Sequence, residues 1–247
     1  IKKETGKFKQ QFFPAMWGNS TAQVSAFLDT FLASFLATGS ISYLYYANRI
    51  FQLPLALFAI ATSIALFPRV AKYIKNKDEE KALAFLQKAF WFLAFLLTAS
   101  TIGGFILSHE IIHFLFERGA FSAVDTLNSS AVLQMYMIGL LPYGLQKLFL
   151  LWLYSKNMQM HAAKIATFSL LAYIVFSLSL ISPMGVSGLA LASTISGFVS
   201  FTLTVKAFGV KNFFDILLNK KAFYLILSAI FLTILLLIFK DFLHVHM

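Results

Sequence analysis

Long apolar blocks, interrupted by short polar or charged segments, set the pattern of this chain. Seven blocks stand out: about Thr21 to Thr38, Ile41 to Phe67, Leu83 to Leu107, Ser129 to Leu153, Ala162 to Leu180, Val186 to Ala207 and Phe223 to Phe239. Several exceed the ~18 apolar residues that a helix needs to cross hydrocarbon. A membrane barrel would instead show ~10-residue alternating segments, so all seven read as helices. The interruptions are "TGSIS", "KNKDEEK", the stretch from Ser108 to Asn128, "SKNMQMH", "SPMGVSG" and "GVKNFFDILLNKK", which carry turn or charge signals. The expected fold is all-α, a polytopic transmembrane helix bundle of about seven spans.

Composition agrees. Of 247 residues, 59% are hydrophobic and 12% charged, with 29 Phe, and the mean hydropathy is +0.78. Those values lie far outside the range of a soluble domain. The absence of cysteine excludes disulfides and thiolate metal sites. The net charge of +10 could suggest nucleic acid, but the cations are segregated. Lys2, Lys3, Lys7 and Lys9; Arg69, Lys72, Lys75, Lys77, Lys81 and Lys88; Lys156 and Lys164; and Lys206, Lys211, Lys220 and Lys221 fall on alternate loops, sixteen of the 20. By the positive-inside rule these loops and the N-terminus face the cytoplasm, and the C-terminal "DFLHVHM" faces outward. The charge is a topology signal, and no nucleic-acid partner is expected. The opening "IKKETGKFKQQFF" has no initiator Met and no cleavable signal pattern, so the chain reads as the later part of a longer protein.

Ionisable groups at membrane depth cost ~2.5 to 3.5 kcal/mol each at a helix centre, so each needs a reason. Arg49 precedes Arg69 by about 20 residues, or ~30 Å of helix, which puts it toward the outer end of its span. It either snorkels to the outer interface or lines a wet cavity. Asn48 and Gln52 beside it, at i and i+4, form a polar stripe that favours the cavity. A guanidinium fork suits phosphate or carboxylate, which makes an anionic headgroup the natural ligand class. Asp29 in "SAFLDTFLAS" pairs with a cation, binds a coupling ion or carries a proton. Lys147 lies about two turns from the cytoplasmic end of its span, where snorkelling accounts for it. Gly139, Pro142 and Gly144 ahead of it predict a bent or broken helix, a candidate hinge.

No enzyme signature is present. His109 and His113 in "SHEIIHFLFE" have i, i+4 spacing, but the order is not that of a zinc protease, and an amphipathic segment at the outer interface explains them. With no Walker loop and no GxGxxG, nucleotide-driven transport would need a partner. No metal site and no organic cofactor are expected.

The stretch "GSISYLYYANRIFQLPLALFAIATSIALFPRVAKY", Gly39 to Tyr73, resembles the signature helix of the MurJ (MviN) lipid II flippases, members of the MOP exporter superfamily. "FERGAFSAVDTLNSSAVLQMYMIGLLPYGLQKLF", Phe116 to Phe149, and "GVSGLALASTIS", Gly185 to Ser196, fit the same family. The likeness runs from about Phe13 to Phe208. It implies the second lobe of a 14-helix carrier in which two six-helix lobes face each other across a cavity and two helices follow. The implied activity is movement of lipid II, an undecaprenyl-pyrophosphate-linked peptidoglycan precursor, from the inner to the outer leaflet of the bacterial cytoplasmic membrane by alternating access. Lipid II, membrane lipids and the N-terminal lobe of the same protein are the implied partners.

The family's cavity arginine falls on Arg49, with Asn48 and Gln52 as further substrate-binding candidates. Asp29 matches an acidic position that forms a sodium site in some members, and Ser193 aligns with a Thr of that site. Its amide and acid positions fall on Tyr173 and Ser177, so only part of the site carries over. Sodium or the membrane potential is the implied driving force. The family's conserved segment after the tenth helix is reduced here to "WLYSKNMQMHA", without its proline. The implied organisation is a cytoplasmic basic linker over 1–19, a six-helix lobe over 20–208, a cytoplasmic linker over 209–221, and an additional span with an outward tail over 222–247. Another MOP exporter, with Asp29 carrying the coupling ion, and a non-transporting scaffold for cell-wall enzymes are the alternatives.

Overall fold

A computed structural model describes the backbone of residues 2–246 and the side chains of 16–242 apart from 19 and 22. The side chains of the basic N-terminal segment and of His244 and His246 lie outside the described residues. Ten α-helices account for nearly all of the described chain: α1 Lys2–Ala33, α2 Ser40–Pro54, α3 Ala61–Lys75, α4 Glu79–Ile106, α5 Ser108–Phe116, α6 Ala123–Ile138, α7 Leu140–Ser155, α8 Gln159–Phe208, α9 Val210–Leu217 and α10 Lys220–His246. A π-helical turn, Leu55–Ile60, joins α2 to α3 without interrupting the rod.

Local chemistry explains the boundaries. Gly39 starts α2 with φ 97°, and a Cβ there would lie 2.6 Å from the Tyr43 hydroxyl, so only glycine fits. Pro54 has no N–H and its ring crowds the carbonyl four residues back; the backbone answers by widening into the π turn directly after it. Asp78 caps α4 by accepting from the backbone N–H of Lys81 at 3.3 Å and from its ammonium at 2.7 Å. Ser122 and Asp125 form a reciprocal capping box that starts α6.

Four stretches are long and apolar enough to cross a membrane: Ser40–Lys75, Glu79–Ile106, Gln159–Phe208 and Lys220–Phe242. The pair α6 and α7, bent by 42°, makes a fifth. Helix α8 is itself two limbs, because Gly185 has non-helical φ 57° and ψ −134°. The hydroxyl of Ser196 donates to the carbonyl of Ser169 at 2.7 Å. On a straight helix those residues would be roughly 40 Å apart, so the limbs fold back side by side. At the crossing, a Cβ on Gly188 would lie 2.3 Å from the Leu180 carbonyl oxygen. Each limb is long enough to span, at about 39 and 35 Å.

The expected first span differs. The helix stops at Ala33 rather than Thr38, and α1 is not among the stretches that qualify by length and apolarity within the described residues. Thr21, Ser25 and Asp29 on one flank are turned to a cavity, which lowers its hydropathy.

Helix α4 is the hub. Leu86, Leu93 and Leu97 are fully buried, with α3, α6, α7 and α10 packed around it. At one end Phe90, Phe149, Phe201, Phe208 and Phe213 meet in tilted and edge-on contacts at centroid distances of 4.8 to 6.2 Å. Phe213 comes from α9, so this cluster fixes a segment expected to be a linker. Helix α10 packs on α4, and Lys240 near its end donates to the Ile106 carbonyl at 3.0 Å.

Candidate functional site

A cavity of about 490 Å³ opens between α1, α2 with its π turn, α7 and the two limbs of α8. A second, of about 240 Å³, shares Asp29, Asn48, Gln52 and Tyr136 with it and adds Tyr45 and Arg49. The two form one polar trough in an otherwise apolar bundle.

Helix periodicity builds its α2 wall. Tyr45, Asn48, Arg49 and Gln52 recur at i, i+3, i+4 and i+7, which is one helix face. The Gln52 amide donates to the Asn48 side-chain carbonyl, the i, i+4 pair expected from the sequence. Arg49 donates from Nη2 to the Tyr45 hydroxyl at 2.9 Å, and its guanidinium carbon lies 4.6 Å from that ring's centre. It is exposed, and the bond to Tyr45 uses one of its five N–H donors. The arginine is thus steadied by an aromatic ring while most of its donors stay free for an oxyanion.

The opposite wall holds the carboxylate. Tyr173 on the first limb of α8 donates to Asp29 Oδ1 at 2.5 Å. Ser177, one turn on, donates to the Ile174 carbonyl at 3.0 Å. Ser193 is engaged elsewhere: the Tyr143 hydroxyl lies 2.9 Å from its carbonyl and 3.3 Å from its Oγ. Asp29 and Ser193 therefore line the same cavity, each held by its own tyrosine. Among the described residues no three His, Cys, Asp or Glu side chains converge as a metal site.

The three hinge candidates play separate parts. The break between α6 and α7 falls at Gly139, where a Cβ would meet Thr194 Oγ1 at 2.9 Å and Thr194 Cα at 3.3 Å. Thr194 in turn donates to the Met135 carbonyl at 2.6 Å. Pro142 is in the first turn of α7, where backbone N–H groups lack helical partners in any case. Gly144 meets α4: a Cβ there would lie 2.2 Å from Leu97 Cδ1. The bend is present, and both glycines are places of close helix approach.

Sequence reasoning missed several cavity groups. Tyr136, Tyr143 and Ser169 line it, and so does Lys147. The spacing of Tyr136, Tyr143 and Lys147, at i, i+7 and i+11, is the signal that could have grouped them. His109 and His113 lie on α5, whose Phe114 is exposed. His113 pairs with Glu117 at 2.8 Å, consistent with an interfacial segment.

The family model described as lipid II flippase MurJ matches residues 1–246. A Helicobacter pylori (strain J99) protein named "Probable lipid II flippase MurJ" is 54% identical over 237 residues, covering 96% of this chain and 52% of that protein. A Haemophilus influenzae protein of the same name is 34% identical over 196 residues, 77% of this chain and 38% of its own length. A solved structure of lipid II flippase MurJ in an inward closed conformation superposes with a TM-score of 0.75 at 28% identity, covering 99% of this chain and 56% of that one. An outward-facing multidrug resistance MATE transporter of the MOP superfamily gives 0.72 at 16% identity, covering 83% and 45%, a likeness of fold alone. The chain spans about half the length of the curated relatives it matches.

Proposed function

Because this chain belongs to the lipid II flippase MurJ family, we propose that it supplies one lobe of a carrier that moves lipid II from the inner to the outer leaflet of the bacterial cytoplasmic membrane. One observation carries the reading: Arg49, steadied by Tyr45, stands at the rim of a polar trough beside the Asn48–Gln52 pair. A pyrophosphate needs several directed N–H donors around a positive charge, and this face offers them. Gln52 and Asn48 add neutral donors and acceptors suited to the sugar part of the headgroup.

A second lobe facing the trough would complete the chamber. Alternating access then consists of one lobe rocking against the other around a fixed anion site. The cation-rich loops would face the cytoplasm, and the N-terminal end of this chain with them. For the driving force, the side chains suit the membrane potential better than sodium. Tyr173 donates to Asp29 Oδ1, where the family's site would have an amide, and Ser177 donates to a backbone carbonyl.

The test is Arg49→Ala in the full-length protein, expressed in cells depleted of their own flippase. Lipid II export and growth should fail. Wild-type growth and export with Arg49→Ala would overturn the assignment. This chain alone, reconstituted in proteoliposomes, should show no headgroup-selective translocation.

A further inference from the structure

Away from the trough, a cavity of about 300 Å³ lies against α3 and α4, lined by Arg69, Lys72, Tyr73 and Phe85. Residues 76–78 join the two helices as a hairpin. Tyr73 stacks on Phe85 across it, with ring centroids 5.5 Å apart and planes 22° from parallel. Lys88, one turn beyond Phe85, holds its ammonium 5.9 Å from the centre of that ring. Three cations therefore surround one aromatic pair. Arg69, Lys72 and Lys88 are all exposed, and among the described residues none of them forms an ion pair. The acids of the hairpin are directed elsewhere. Asp78 pairs with Lys81 at 2.7 Å, Glu79 pairs with Lys156 at 2.9 Å, and Glu80 adds to the negative charge around Lys81.

Membrane topology asks for cations in a loop, but not for a cavity or a ring pair between them. Going from the hairpin turn toward the bilayer, Arg69 lies one turn past Tyr73 and Lys88 one turn past Phe85, which sets the two charges at about the same depth. One turn further, Ala65 on α3 and Phe92 on α4 follow on the same faces by i, i+4 spacing, and Phe95 continues the line on α4. Ala65 is exposed, and Phe92 and Phe95 are 55% and 53% exposed. The flank of the hairpin is thus an apolar channel, narrow-walled on α3 and phenyl-lined on α4, with the charge gathered at its lysine-bearing end. A phospholipid has the same order of parts: an anionic phosphodiester at the level of the cations and acyl chains beyond it.

We propose that the α3–α4 flank binds an anionic phospholipid, with its phosphodiester among Arg69, Lys72 and Lys88 and an acyl chain along Ala65, Phe92 and Phe95. The site is separate from the trough and does not depend on the role of Arg49. Phosphatidylglycerol would be titrated against the purified full-length protein in a neutral detergent, with phosphatidylcholine as the lipid without net charge. The variants are Arg69→Gln with Lys72→Gln and Lys88→Gln; Lys206→Gln with Lys211→Gln and Lys220→Gln, which removes the same charge elsewhere; and Ala65→Phe, which keeps every cation and obstructs the channel. Thermal midpoints check that each variant is folded.

The Arg69, Lys72 and Lys88 triple variant should bind phosphatidylglycerol about tenfold or more weakly, with the Lys206, Lys211 and Lys220 variant within about threefold of wild type. Ala65→Phe should also weaken it, by about threefold or more. Unchanged binding in the first variant overturns the site. Equal losses in the two triple variants overturn it as well, since they would report diffuse surface charge. Glycerophosphoglycerol, the same headgroup without acyl chains, is added as competitor. Displacement of phosphatidylglycerol by it at equal concentration, or full binding in Ala65→Phe, would mean that the cations take free phosphodiester without chains and would overturn the phospholipid.

Discussion

The hydroxyl of Tyr173 lies 2.5 Å from the carboxylate of Asp29, from which it is separated by 144 positions in sequence. The contact ties α1 to the first limb of α8 across the back of the trough. It also puts a hydrogen-bond donor where the family resemblance implies an amide. Tyr173→Phe keeps the ring and removes the donor, leaving a buried carboxyl without it. In the full-length protein this should cost about 1–3 kcal/mol, read as a lower midpoint in thermal scanning.

The same pair makes a prediction about sodium. Exchanging sodium for choline should leave the thermal midpoint of the wild-type protein unchanged. Tyr173→Asn combined with Ser177→Asp restores an amide and an acid beside Asp29, and sodium should then raise the midpoint by mass action on the folded state. A wild-type protein that sodium stabilises would contradict this account of the site.

The fold-back of α8 depends on glycine. At Gly188 a Cβ would press on the Leu180 carbonyl oxygen, which cannot move without parting the limbs. Gly103 on α4 has nothing within 4 Å of the corresponding position. Gly188→Ala should therefore destabilise by about 1–3 kcal/mol, while Gly103→Ala should be neutral or stabilising by up to about 1 kcal/mol through helix propensity. Equal midpoints for the two variants would show that the limbs do not pack as described.

Much of this arrangement can be read from the sequence, and the gaps have physical causes. Apolar blocks and their breaks locate the long helices because hydrocarbon imposes both length and polarity. The Asn48, Arg49 and Gln52 stripe is legible because i, i+4 spacing needs no tertiary information. The tyrosines are not, since a tyrosine in an apolar block looks the same whether it meets lipid, core or cavity. Only neighbouring helices decide that Tyr173 faces Asp29. Pro54 signals a disturbed ladder but not whether the helix kinks or widens. Val210, Phe213, Phe214 and Leu217 carry the i, i+3, i+4, i+7 period of an amphipathic helix, which the lysines and Asn212 between and around them obscured.

On the side bearing α5, Glu117 accepts from Thr126 Oγ1 at 2.6 Å and pairs with His113 at 2.8 Å. First the Thr126 hydroxyl and then His113 hold its carboxyl below the ordinary value of 4.5. A depressed acid contributes stability that is complete above its ordinary value and is lost as the pH falls through the folded one. Thermal midpoints of the full-length protein should therefore decline as the pH drops below 4.5. In Thr126→Val, which removes the larger cause, the decline from this group should be shallower.

Gly144 on α7 and Leu97 on α4 test whether the glycines near the bend serve packing. A Cβ at Gly144 would sit 2.2 Å from Leu97 Cδ1, the tip of a fully buried side chain. Gly144→Ala alone overpacks the contact, at about 1–3 kcal/mol. Leu97→Ala alone opens a cavity in the hub helix, at about 2–5 kcal/mol. Together they relieve one another, because the added methyl occupies part of the space that the leucine vacates. The double variant should be more stable than the sum of the single losses implies, by about 0.5–3 kcal/mol. Strict additivity in thermal scanning would mean that the two helices do not meet at this point, and Gly144 would then have to be explained by motion of the bend rather than by contact.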